Sequence, residues 1–155
     1  MKKSNLAVLD GDILIYRAAW WAEGEGIDML EARIHHDIDM WSKGHEKSIV
    51  AFSCHRSDNY RRDYFPLYKI NRSGRPVPEA LEYAIEIIED RCTTVRRPRI
   101  EADDILGMMA SAGLATAVTI DKDLRSVPGW HWNPDKEADP IFIDEEKADL
   151  NLYVQ

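Results

Sequence analysis

Apolar positions along the chain fall into two patterns, short continuous runs and helical spacings. Leu6-Ala7-Val8-Leu9, bounded by Asp10-Gly11-Asp12, reads as a buried strand. A helical stretch follows over Ile13 to Ala22. Ile27, Leu30, Ile34, Ile38 and Trp41 recur at spacings of 3, 4, 4 and 3, one face of an amphipathic helix that Gly44 stops. Lys47 to Cys54, with Ile49-Val50-Ala51-Phe52 at its centre, predicts a second buried strand. Arg56 to Pro78 has no period and reads as a long basic loop. Leu81, Ala84, Ile85 and Ile88 mark a helix with Pro78 near its first turn, and Cys92 to Val95 a weaker third strand. Ala102, Ile105, Leu106, Met109, Ala110 and Gly113 again follow a helical spacing, so a helix begins near Glu101. Ala115 to Ile120 predicts a fourth strand and Ile141 to Ile143 a fifth. Strands alternating with helices mean a mostly parallel sheet covered on both faces.

The chain's 155 residues are one domain's worth, and its 45% hydrophobic and 31% charged residues allow a core without disulfides or a structural metal. The apolar runs fall far short of the roughly 20 residues that span a bilayer, and the one after Asn5 is too short for a signal-peptide core. A single cytoplasmic domain over 1–155, without membrane contact, is expected. Cys54 and Cys92 lack Cys-x-x-Cys spacing and predict packed, reduced thiols. The histidines show no ligand spacing, and neither a glycine-rich phosphate loop nor Gly-x-Ser-x-Gly occurs. Trp20, Trp21, Trp41, Trp130 and Trp132 are expected in or at the edge of the core.

A net charge of −8 at first argues against a nucleic-acid partner. Residues 1–100, however, hold 16 basic and 16 acidic side chains, so the whole acidic surplus lies after residue 100. Charge has to be read locally. Asp10 directly follows the first strand, Asp121 the fourth, and Asp58 lies shortly beyond the second. They converge on the carboxyl edge of the sheet, where sites form in parallel α/β folds. Glu101, Asp103 and Asp104 open a helix at that same edge, with Glu101 and Asp104 on one face. Asp121 and Asp123 point the same way if strand geometry continues.

Taken singly, each acid has an ordinary explanation. Carboxylates stabilise a helix's first turn by about 0.3–1 kcal/mol, and Asp after a strand forms turns. Together, these acids repel and call for neutralisation by hard divalent cations with oxygen ligands. Two such ions about 3.5–4 Å apart activate water and stabilise a leaving oxygen in phosphodiester hydrolysis. The acids therefore point to a metal-dependent phosphoryl or nucleic-acid hydrolase. Between Asp58 and Arg72, aromatics alternate with cations that suit phosphate contact and base stacking, a solvated loop being the plain alternative.

Four segments carry a family resemblance. They are Val8-Leu9-Asp10-Gly11-Asp12 with Tyr16-Arg17, Tyr64-Phe65-Pro66-Leu67-Tyr68-Lys69-Ile70-Asn71-Arg72, Glu101-Ala102-Asp103-Asp104-Ile105-Leu106-Gly107 and Thr119-Ile120-Asp121-Lys122-Asp123-Leu124. In this order they resemble the 5′-nuclease family, which comprises bacteriophage 5′-3′ exonucleases, the 5′-nuclease domain of bacterial DNA polymerase I, and flap endonucleases. The likeness is strongest to the phage members. It implies a three-layer PIN-like (resolvase-like) α/β domain, with a mostly parallel sheet flanked by helices. It also implies hydrolysis of DNA, and of RNA in RNA–DNA hybrids, from or near free 5′ ends and flaps, using two Mg²⁺ or Mn²⁺ ions.

On the matching positions, the resemblance implies that Asp10, Asp58, Glu101, Asp103 and Asp104 form the first metal site. Asp121 and Asp123 contribute to the second. By the same resemblance Lys69 and Arg72 would contact the scissile phosphate, with Tyr68 beside them; Arg61 and Arg62, from the loop of alternating aromatics and cations, are further expected nucleic-acid contacts. Asp12 is expected as a turn former or a support for Asp10. The helix–hairpin–helix element that follows in the family does not follow here. Two alternatives are therefore a binding subunit that needs a second polypeptide to supply that element, and a small PIN-like ribonuclease.

Overall fold

The computed structural model describes residues 1–69 and 76–154. Strand β1 (Leu6–Asp10) runs straight into helix α1 (Gly11–Trp21), and α2 (Ile27–Trp41) leads to β2 (Lys47–Phe52). A 3₁₀ turn at Arg56–Asp58 and the one-turn α3 (Arg61–Tyr64) precede α4 (Leu81–Arg91) and β3 (Thr93–Arg96). Then come α5 (Ala102–Ser111), β4 (Thr116–Val118), a 3₁₀ helix at Lys122–Ser126, β5 (Gly129–Trp132), β6 (Ile141–Ile143) and α6 (Glu145–Tyr153).

The sheet order is β3-β2-β1-β4-β5-β6. All pairs are parallel except β5 with β6. The chain builds outward from β1 to β3, then returns to lay β4 on the other side of β1. The strand order therefore reverses between β1 and β4, and at such a switch point the two following loops diverge and leave a crevice. Successive strand residues face opposite layers. Ala7, Leu9, Val50, Phe52 and Val118 pack with Leu14, Leu30, Ile34 and Ile88 of α1, α2 and α4. Val8, Ala51 and Ala117 pack with Ile105, Leu106 and Ala110 of α5. Cover on both faces is why the central strands are continuous apolar runs. This is the expected three-layer architecture. No described helix is long and apolar enough to cross a membrane.

Two elements and two side chains depart from the sequence reading. β5 is additional: Trp130-His131-Trp132 has no β-branched run, yet His131 is buried and donates from Nε2 to the Val127 carbonyl at 2.7 Å. Burial, only partly offset by that bond, lowers the His131 pKa, so the ring is neutral. α6 is also additional, because only Ala148 of it is buried and no apolar stripe announces it. Its signal is the cap: the Asp144 side chain accepts from Lys147 N–H at 2.8 Å, ahead of Glu145 and Glu146. Trp41 and Trp132 lie in the core as expected, but Trp20 and Trp21 are each 48% exposed at the end of α1.

Gly11 sets how closely α1 approaches β2. A Cβ there would stand 2.5 Å from the Ala51 carbonyl oxygen and 2.7 Å from Val50 Cγ1. Backbone cannot yield as a flexible side chain can, so Gly11→Ala is expected to cost about 1–3 kcal/mol as an overpacking change. Urea denaturation would measure it, and an unchanged midpoint would refute this account of the α1–β2 junction.

Candidate active site at the carboxyl edge of the sheet

Asp10 ends β1 and caps α1, accepting the Ile13 N–H at 3.4 Å. Its other oxygen accepts the Thr119 hydroxyl at 2.7 Å, and Thr119 Oγ1 in turn accepts the Asp121 N–H at 3.1 Å. Thr119 thus bridges the switch point from the β4 side. Burial pushes the Asp10 carboxyl up to about 7; the Thr119 bond opposes this, while the charges of Asp12 and Asp103 add to it.

The N-terminus of α5 supplies the other acids through a capping box, in which the Glu101 N–H donates to Asp104 Oδ2 at 2.9 Å. Glu101 is buried and receives Asn59 Nδ2 at 2.5 Å and Lys69 Nζ at 3.1 Å to each oxygen. Burial alone would raise its pKa, but Lys69, Tyr68 and Asn59 outweigh it and hold the carboxyl below the usual range. Asp104 receives both terminal nitrogens of Arg61, at 2.9 and 2.7 Å, and that fork likewise outweighs burial and keeps it ionised. The Arg61 guanidinium lies 4.7 Å from the Tyr60 ring centre and 5.8 Å from that of Tyr68. Among the described residues Asp103 has no such partner. Burial, with repulsion from Glu101 and Asp104, pushes it up to about 6, and its Oδ1 is buried without a hydrogen bond.

The acids therefore divide. Glu101 and Asp104 are neutralised by cations of the chain itself, whereas among the described residues Asp10 and Asp103 have no ion-pair partner. Asp12 accepts the Ser53 N–H at 3.1 Å and the Ser53 hydroxyl, and Ser53 Oγ accepts the Ala102 N–H at 2.9 Å. This chain of bonds ties the start of α1, the end of β2 and the start of α5 together, fixing the elements that carry Asp10 and Asp103.

Asp58 is not brought to this group. It is exposed and accepts the Arg99 N–H at 3.0 Å, supporting the left-handed Arg99 (φ 73°) that turns the chain into α5. Its neighbour Asn59 reaches Glu101 instead. Asp121 caps its own turn, accepting the Asp123 N–H at 2.9 Å, and both are exposed on the wall of a cleft that also holds Asp103 and Asp104. Arg62, Tyr68 and Lys69 line a second groove on the α4 side with Arg56 and Arg96. Arg72 lies outside the described residues. Sequence reasoning missed Thr119, Asn59 and Ser53. Thr119 had a signal, a β-branched hydroxyl two residues before Asp121 at a strand end; Asn59 and Ser53 had none.

Among the described residues no three acidic, His or Cys side chains are assembled around a point that could hold an ion. The donor chemistry nonetheless fits a hard divalent cation: all oxygen, two carboxyls without a cationic partner among the described residues, and one buried carboxylate oxygen without a hydrogen bond there. The residues that would hold it are Asp10 and Asp103, with Glu101, Asp104, Asp121 and Asp123 around them.

The chain is 29% identical over 152 residues to an exodeoxyribonuclease of Enterobacteria phage T3, covering 80% of this chain and 49% of that protein. It is 28% identical over 173 residues to an exonuclease of Escherichia phage T7, covering 94% and 56%. It therefore spans about half the length of these curated relatives. The fold matches the T5 D15 protein co-crystallised with metal ions, with a TM-score of 0.64 at 18% identity over 82% of this chain and 54% of that one. It also matches the T5 5′-exonuclease with divalent zinc ions bound, with a TM-score of 0.60 at 15% identity over the same shares. A family model described as 5′-3′ exonuclease, N-terminal resolvase-like domain, matches residues 5–131. By that match across most of its length, the chain belongs to the 5′-3′ exonuclease family through its N-terminal resolvase-like domain.

Proposed function

We propose that this domain is the catalytic part of a divalent-metal-dependent nuclease that hydrolyses DNA phosphodiesters from or near free 5′ ends or flaps. RNA in RNA–DNA hybrids is a further substrate of the proposal, and two Mg²⁺ or Mn²⁺ ions its cofactors. The observation that carries it is the pair Asp10 and Asp103, held at the carboxyl edge of the sheet with raised pKa values and, among the described residues, no cationic partner. Stability alone does not favour two such acids in one crevice. Divalent ions bound there would polarise phosphate oxygens and lower the pKa of water.

The chain's own residues supply the rest. Asp10 and Asp103 present oxygens; Thr119 and the Asp12–Ser53–Ala102 bonds orient the elements that carry them. Lys69 and Arg61 are cations already at the acids, placed to meet phosphate when Glu101 and Asp104 engage a metal instead. Arg62 and Tyr68 offer charge and a ring along the neighbouring groove. Cleavage of a labelled 5′-flap duplex in Mg²⁺, compared with single-stranded RNA, tests this directly. No cleavage at micromolar protein sinks it, and preference for single-stranded RNA turns it into the ribonuclease reading.

A second reading is favoured by the engagement of Glu101 and Asp104 by Lys69 and Arg61, which occupies two of the proposed metal ligands within the chain. Here the domain binds nucleic acid and needs another polypeptide, supplying the helix–hairpin–helix element, for turnover. Calorimetry with Mn²⁺ separates the two: one ion and activity restored by such a polypeptide support this second reading, and two tight sites count against it.

A further inference from the structure

We infer that Glu137 and Asn151 are positioning residues that clamp the turn carrying Asp121 and Asp123, an inference that rests on the nuclease reading above, in which these two acids hold a metal ion. Asp121 is the N-cap of the 3₁₀ helix Lys122–Ser126, and Asp123 lies in its first turn. That helix has little of its own to fix it. Runs of 3₁₀ structure beyond about three or four residues are uncommon because their hydrogen bonds are poorly aligned, and here only Leu124 is buried. Asp10 and Asp103, by contrast, stand on β1 and α5, whose side chains build the two core layers.

The turn is held from outside. Leu124 and Ser126 line the cleft together with Asp121 and Asp123, whereas Arg125 between them turns to Glu137 and forms an ion pair. The two side chains are 23% and 22% exposed, so solvent screens this pair less than a surface bridge. Glu137 is itself fixed: its carbonyl accepts the Nε1–H of the core residue Trp132 at 3.0 Å, and its second carboxylate oxygen accepts the Asn133 N–H at 3.2 Å. The Arg125 carbonyl accepts Asn151 Nδ2 of α6 at 2.8 Å. Arg125, two residues beyond Asp123, is thus tied by its side chain to the connection between β5 and β6 and by its backbone to α6. Only Ala148 of α6 is buried, and the helix lies against this 3₁₀ turn, so it serves the turn more than the core. Glu137 and Asn151 both lie beyond residues 5–131, and the family model does not reach them. Groups that orient metal ligands from behind are worth about 10–100-fold in metal affinity.

Calorimetric titration of the whole chain with Mn²⁺ tests this, with the double variant Asp121→Asn/Asp123→Asn marking the site that these acids hold. Asn151→Ala and Glu137→Gln are each expected to weaken that same site about tenfold and to leave the affinity of the other ion unchanged. Combining them should cost less than the product of the two losses, because both act on one turn through Arg125. Ala favours a helix and Gln keeps the shape of Glu, so both variants retain the fold, which far-ultraviolet circular dichroism checks. A marked site unchanged in either variant, or a loss shared equally by both ions, overturns the clamp and leaves the nuclease reading standing. Mn²⁺ binding by Asp121→Asn/Asp123→Asn indistinguishable from that of the wild type overturns the metal role of these acids, and the clamp with it.

Discussion

Asp10→Asn and Asp103→Asn are each expected to reduce single-turnover cleavage of a 5′-flap duplex by more than a hundredfold. Loss of a residue that merely orients a metal ligand costs about 10–100-fold, and these two are placed to be ligands themselves. Asn keeps the shape and, at Asp10, the bond to Thr119, so the loss would report charge and not misfolding. Asp58→Asn is the contrasting case: its carboxylate serves the Arg99 turn, and cleavage is expected near the wild-type rate. Wild-type cleavage by Asp10→Asn or Asp103→Asn would remove the carboxyl pair from the mechanism. A collapse of activity in Asp58→Asn without loss of fold would return that residue to it.

The same Asp10→Asn change is expected to stabilise the protein above neutral pH. A carboxyl raised from 3.8 to about 7 holds its proton more tightly folded than unfolded, so the native state binds more protons between those values. Unfolding free energy therefore falls as pH rises from about 4 to about 7, by at most roughly 4 kcal/mol from Asp10, with a similar contribution from Asp103 ending near pH 6. Glu101 and Asp104, held below their ordinary values, act oppositely and lose stability only toward more acid pH. Half-buried His45 and buried His131, both lowered, lose stability as pH falls below about 6.5, so the wild-type profile alone mixes contributions. The difference between wild type and Asp10→Asn isolates Asp10. Urea titrations should show the variant about 2–4 kcal/mol more stable at pH 8 and indistinguishable at pH 4. Millimolar Mn²⁺ at pH 8 should narrow the gap by stabilising the wild type. A gap that does not depend on pH would mean that Asp10 is not a buried, destabilised acid.

Much of this was legible in the sequence because burial imposes period. The runs at Leu6–Leu9 and Ile49–Phe52 could be read since both faces of their strands are covered, and α2 could be read from the stripe Leu30, Ile34, Ile38 and Trp41. β5 and α6 escaped for the converse reason: one is an aromatic strand without branched residues, the other a helix that buries almost nothing. Among the acids, those at the ends of regular elements, Asp10, Glu101, Asp103 and Asp104, could be placed because the element fixes the direction. Asp58 could not. It sits in a 3₁₀ turn where one residue of register decides whether Asp58 or Asn59 faces inward, and no hydrophobic alternation sets that register. Thr119, Ser53 and Asn59 matter through bonds to partners 109, 49 and 42 residues away, which no local pattern announces.

The Thr119–Asp10 bond also dates the site within folding. Asp10 leaves the ribosome more than a hundred residues ahead of the hydroxyl that will hold it. β1, α1 and β2 can associate early, but β4 has to close the longest loop in the sheet before it pairs with β1. Until then Asp10 stands at an open strand edge without its partner, and α5 lacks Ala117 of β4, one of the strand residues its buried face packs on. The crevice therefore depends on the longest closure within the sheet, and a nascent or clipped chain short of residue 119 carries most of the acids but no assembled centre.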